Sequence, residues 1–108
     1  MADTTHSQPT DPWIAPLARG PLRGDVALPG SKSLTNRELV LAALADGPST
    51  VRLPLHSRDS ALMVAALRQL GVGVDEVAPE PGAAPNPYGP DLRVTPAPMH
   101  GGVRVDCG

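Results

Sequence analysis

Between the turn Pro29-Gly30 and the stop Gly47-Pro48 the chain runs without proline or glycine, and the block Leu39 to Ala45 within it is built from leucine, alanine and one valine. Such a block has high helix propensity, and being apolar on every side it predicts a buried helix. Start signals precede it. Thr35 followed three residues later by Glu38 fits a capping box, and Ser33 is an alternative cap about half a turn earlier. At the far end, Asp46-Gly47-Pro48 supplies a terminating glycine and a helix-stopping proline. No other element of the sequence is so well bounded.

Shorter elements flank it. Asp25-Val26-Ala27-Leu28-Pro29 alternates as a strand does, with Val26 and Leu28 on one face, and Trp13 to Leu17 is a short apolar stretch that starts the ordered part. Ser49 to Pro54 predicts a second strand with Val51 and Leu53 sharing a face. Ser57 or Asp59 then caps a second helix whose apolar positions are Leu62, Met63, Ala66, Leu67 and Leu70, closed by Gly71. Val72 to Val77 reads as a strand. Residues 78–91 hold five prolines and two glycines and predict a mobile loop. Leu92 to Thr95 is a strand, and Val103 to Asp106 a trailing one. The running order is β-α-β-α-β-β, an α/β (α+β) chain.

Composition limits what these elements can bury. With no Phe, one Trp and one Tyr, the core must come from 13 Leu, 10 Val, 14 Ala and 3 Met, which is thin for 108 residues. The 14 prolines and 11 glycines bring the chain close to the share, about 25–30%, that marks low-complexity sequences, so partial order is expected. Residues 1–12 are small and polar and read as a disordered leader. Residues 13–108 would be the folded portion. A strand breaking off at Cys107-Gly108 looks like an interruption, so the expectation is a chain truncated at 108.

Several function classes drop out. A net charge of −2 without a basic run offers no footprint for nucleic acid or for an anionic membrane surface. No apolar run approaches the ~20 residues of a membrane helix, and the start lacks a signal peptide, so a cytoplasmic location is the default. Cys107 has no internal disulfide partner, and no Cys/His set has zinc spacing. Among the cations there are eight arginines and one lysine, Lys32.

Lys32 lies in the only dense cluster of chemically capable groups, Pro29-Gly30-Ser31-Lys32-Ser33-Leu34-Thr35-Asn36-Arg37. A helix N-terminus offers unpaired N–H groups and the positive end of the dipole to an anion. Arg37 follows Ser33 by four residues, one turn along the same face. Lys32, Ser33 and Arg37 could thus converge on a phosphorylated ligand. The spacing is neither a P-loop nor a Rossmann fingerprint, and Ser31 and Ser33 adjoin Lys32 rather than preceding it by three, which excludes the Ser-x-x-Lys arrangement. Standing alone, the cluster reads more readily as a solvated first turn than as a binding site. Asp59 reads as a helix-end carboxylate, His6, His56 and His100 as isolated surface histidines, Cys107 as unreactive, and Leu62, Met63 and Leu67 as core.

The run LPGSKSLTNRELVLAAL, followed by Leu55-His56-Ser57-Arg58-Asp59 and a helix ending Leu70-Gly71-Val72, closely resembles the N-terminus of the 5-enolpyruvylshikimate-3-phosphate synthase family, also called 3-phosphoshikimate 1-carboxyvinyltransferase. The resemblance extends from about Ile14 to the end, weakening through the proline-rich loop. It implies an inside-out α/β barrel built from β-α-β-α-β-β units and incomplete in this chain. It implies shikimate 3-phosphate binding at Lys32, Ser33 and Arg37, with Lys32 also reaching phosphoenolpyruvate, and no metal or organic cofactor. The implied reaction is carboxyvinyl transfer to the 5-hydroxyl of shikimate 3-phosphate, with release of phosphate, on the shikimate pathway to chorismate and aromatic amino acids. The family's catalytic acid–base residues lie in its C-terminal half, so no catalytic residue is expected here and the chain alone should be an inactive fragment of a cytoplasmic, monomeric enzyme. Two alternatives remain. The related UDP-N-acetylglucosamine enolpyruvyl transferase has Asn after the motif lysine, which Ser33 and Asn36-Arg37 argue against. A non-catalytic α/β module binding a phosphorylated metabolite would need a self-sufficient core.

Overall fold

The computed structural model describes residues 11–108, so all but Asp11 and Pro12 of the expected leader lies outside it. Two helices and three strands follow in the order α1 (Lys32–Leu44), β1 (Ser49–Val51), α2 (Arg58–Gln69), β2 (Gly73–Val77) and β3 (Asp91–Thr95). The strands form one antiparallel sheet in the order β1-β3-β2. Its register places Val51 opposite Leu92 and Val74 opposite Val94. Those four side chains are buried while Thr50, Arg93 and Asp75 on the reverse face are exposed, the alternation of a sheet covered on one side.

The covering layer is the helix pair. α1 packs on β1 and β3, α2 packs on β2, and the helices pack on each other. Leu39, Ala42 and Ala43 from α1 and Leu67 from α2 meet the sheet valines, with Met63 and Val64 at the margin. Leu39 and Val94 have no solvent exposure and mark the centre. The aromatic-poor composition is therefore matched by small residues that let α1 approach the sheet closely.

Capping explains where the helices begin and end. Ser57 caps α2 in a reciprocal box, with its Oγ accepting the Ser60 N–H at 3.2 Å and Ser60 Oγ accepting the Ser57 N–H at 2.8 Å. Gly71, at φ +105°, ends α2 as expected, its N–H donating to the Arg68 carbonyl while the Val72 N–H reaches that of Leu67. At α1 the expectation fails. The cap is Ser31, whose Oγ accepts the Leu34 N–H at 3.1 Å, and neither Ser33 nor the Thr35/Glu38 pair does this work. Thr35 is instead inside the helix and buried. Gly47 takes no left-handed conformation either, because α1 already ends at Leu44 with an extended Ala45.

Five further expectations change. No strand forms at Asp25–Pro29, where Val26 is 78% and Leu28 66% exposed. Alternation selects a strand only where a neighbouring edge accepts it, and among the described residues this segment is held by a bond from Tyr88 Oη to the Ala27 carbonyl, 2.6 Å. The Trp13–Leu17 stretch is likewise exposed and without regular structure. Val103–Asp106 is not a strand; its end runs beside α2, with Val105, Asp106 and Cys107 near Leu62 and Met63. β1 stops at Val51, because Leu53 turns into the left-handed region at φ +51° and cannot share a face with Val51. Finally α1 is buried on one side only, leaving Leu41 and Leu44 each 68% exposed. The proline-rich segment forms no helix or strand before β3 begins at Asp91.

Candidate functional site

The site begins with how the start of α1 is fixed. The Gly30 N–H donates to the Leu53 carbonyl at 2.8 Å, and Thr35 Oγ1 accepts the Leu55 N–H at 3.0 Å. A Cβ on Gly30 would stand 3.2 Å from Thr35 Oγ1 and 3.3 Å from the Leu53 oxygen, so this approach uses the absence of a side chain. Leu53 in turn donates its N–H to the buried Asp91 carboxylate at 3.0 Å. His56 Nε2 donates to the Pro90 carbonyl at 2.7 Å, since that oxygen can only accept. The segment 53–56 therefore ties the first turn of α1, the approach to α2 and the start of β3 into one corner.

That corner brings the N-termini of the two helices side by side. Lys32, the first residue of α1, places its Nζ 2.9 Å from Oδ2 of Asp59, in the first turn of α2. Both side chains remain about half exposed, at 57% and 49%. An exposed pair of this kind contributes about 0–1 kcal/mol to stability. Its effect is therefore on where the ammonium stands rather than on whether the chain folds.

Continuing along α1, Asn36 lies one turn beyond Lys32 and faces the same way. It lines a cavity of about 280 Å³ with Asp59, Leu62, Met63, Ala66 and the segment 105–107. Its Oδ1 is buried and has no hydrogen-bond partner among the described residues. Leu62 is thus less core than cavity wall, whereas Leu67 is core as expected.

The three residues expected to bind an anion are placed as follows. Ser33 and Arg37 sit one turn apart on an unbroken α1, both exposed. Arg37 lies over a shallow depression with Val40, Leu41 and Met63. Lys32 is turned away from them toward α2. Of five cavities among the described residues, none is lined by Lys32, Ser33 and Arg37 together. The helix start thus presents two cations and a hydroxyl on adjoining faces, with N–H groups and the dipole favouring an anion between them.

Asp59 stands in the first turn of α2, where the sequence placed it, and its pairing with Lys32 is the contact that sequence reasoning missed. Ser57 and Ser60 complete the α2 cap without it, so its carboxylate is free to meet Lys32. The signal was present: two successive helices packed side by side, one beginning with the lone lysine and the other with an aspartate in its first turn. A separate cavity of about 390 Å³ on the other side of α2 holds His56, Arg58, Arg68 and Glu76. Arg68 there donates from Nε and Nη2 to the Val74 carbonyl, at 3.0 and 2.6 Å. Among the described residues no group of three His, Cys, Asp or Glu side chains could hold a metal, and no helix is long and apolar enough to cross a membrane.

A family model described as EPSP synthase (3-phosphoshikimate 1-carboxyvinyltransferase) matches residues 17–87, a span that takes in α1, β1, α2 and β2. The chain is 60% identical, over 109 residues, to the 3-phosphoshikimate 1-carboxyvinyltransferase of Kocuria rhizophila. The alignment includes 96% of this chain and 23% of that relative, so the chain spans less than a quarter of the relative's length.

Proposed function

This chain belongs to the EPSP synthase family, and from that premise we propose that it supplies part of a binding site for shikimate 3-phosphate, with Lys32, Ser33 and Arg37 as its contacts. Lys32 also reaches phosphoenolpyruvate. The single observation that carries this reading is the position of the only lysine at the first residue of α1, with Ser33 and Arg37 a turn apart behind it. Both ligands are anions, and a helix start with an ammonium, a hydroxyl and a guanidinium can replace the water they lose.

In the reaction this serves, the 5-hydroxyl of shikimate 3-phosphate gives up its proton to a base as its oxygen joins C2 of phosphoenolpyruvate, and C3 takes a proton to become a methyl group. Phosphate then leaves from C2 of the tetrahedral intermediate as a proton of that methyl group is lost and the C2=C3 double bond re-forms. Lys32 and Arg37 hold the anionic groups in place and offset their charge. The groups that move the protons are assigned to the family's C-terminal half, outside these 108 residues. The enzyme so formed is a cytoplasmic monomer of inside-out α/β barrel architecture, working without metal or organic cofactor, and its product leads to chorismate and aromatic amino acids. The 108 residues alone bind without turning over.

Calorimetric titration of shikimate 3-phosphate against the intact protein tests the assignment. Lys32→Ala and Arg37→Ala should each weaken binding by about 2–4 kcal/mol, the worth of a charge-assisted contact whose partner is removed. Unchanged affinity in both variants would remove the site.

A further inference from the structure

We propose that Asp59 is a positioning residue for Lys32: its carboxylate holds the ammonium between the starts of α1 and α2, in the orientation from which it meets an anionic ligand. The inference rests on the proposed function for the identity of that ligand, and on the geometry for everything else.

Three observations carry it. A lysine at a helix start has a flexible four-carbon stem and, without a partner, no reason to prefer one direction. Here the stem crosses to a carboxylate on another element, 2.9 Å away. Second, the carboxylate stands on a fixed base. The box between Ser57 and Ser60 satisfies the start of α2 by itself, so Asp59 is not consumed as a cap and its backbone position is set independently of Lys32. Third, an ammonium has three donors and Asp59 Oδ2 takes one, which leaves two for a ligand oxygen. Asp59 therefore need not leave when the ligand arrives. It also offsets the positive ends of two helix dipoles that meet at this corner.

Because Lys32 is the only lysine, labelling the 108-residue chain with 15N at lysine Nζ gives one side-chain ammonium signal. In the unaltered chain that signal should lie away from the position of a free lysine side chain. Asp59→Ala should move it to the free position, Asp59→Asn should move it part of the way, and Asp59→Glu should restore it. In the intact protein Asp59→Ala should weaken shikimate 3-phosphate binding by about 2- to 5-fold, the scale of an exposed ion pair, with recovery in Asp59→Glu. A Lys32 signal indifferent to Asp59→Ala, or affinity that is unchanged or tighter in that variant, overturns the positioning role. If Lys32→Ala leaves binding unchanged while the signal still responds to Asp59→Ala, the pair exists but the ligand assignment falls. If Lys32→Ala weakens binding and Asp59→Ala does not, the ligand assignment stands and the positioning role falls.

Discussion

Thr35 Oγ1 accepts the N–H of Leu55, 20 residues away in sequence, and it does so from a side chain that is only 1% exposed. A threonine that looks like part of a helix cap is thus the buried pin between α1 and the segment leading into α2. Replacing it with valine keeps the shape and removes the acceptor, leaving the Leu55 N–H unpaired. Thr35→Val should lower stability by about 1–3 kcal/mol, read as a fall in the urea midpoint at constant slope. An unchanged midpoint would mean that water takes over the bond and the corner does not depend on Thr35.

Leu53 holds the other half of the corner from a left-handed backbone, φ +51°, where a β-branched side chain fits worst. Leu53→Val should therefore destabilise by about 1–3 kcal/mol, while Leu53→Gly, which accepts the same φ without strain, should stay within about 1 kcal/mol of the parent. Thermal unfolding of the two variants side by side makes the comparison. Equal losses in both would show that side-chain burial rather than backbone conformation governs this position.

The core centre is equally specific. Leu39 is fully buried between α1 and the sheet, and Leu39→Ala removes its methyl groups from a core that has no aromatic ring to close over the gap. The loss should be about 2–5 kcal/mol. Leu41→Ala, on the exposed side of the same helix, should change stability by less than about 0.5 kcal/mol. Similar losses in the two would mean that Leu41 is covered in solution.

These contrasts show what was legible from sequence. Elements defined by periodicity together with a local stop, such as α2 ending at Gly71 and the strand starting near Gly73, came through because both signals act within a few residues. The segment Asp25–Pro29 has a strand's alternation and yet joins no strand among the described residues, because pairing depends on a distant edge that local pattern does not encode. Thr35 has the right chemistry for a cap, but its true partner is Leu55, and no local rule connects them. The same holds at the site. Lys32, Ser33 and Arg37 could be placed on one helix start from spacing alone, whereas the pairing of Lys32 with Asp59 required knowing that the two helices lie side by side.

Turnover separates binding from catalysis. The purified 108-residue chain, supplied with shikimate 3-phosphate and phosphoenolpyruvate, should release no phosphate above the uncatalysed rate, because the proposed contacts Lys32, Ser33 and Arg37 are assigned to holding anions and none of them to moving a proton. Measurable phosphate release would place catalytic residues within these 108 positions and overturn that division of labour.

The central claim is that the start of α1 is where the phosphorylated substrate binds. Backbone amide chemical shifts of the 108-residue chain, followed while shikimate 3-phosphate is added, test it most directly. The account predicts progressive shifts at Lys32, Ser33 and Arg37, with the residues around Arg68 and Glu76 unmoved. Shifts centred instead on the cavity of His56, Arg58 and Arg68, with the first turn of α1 silent, would contradict it.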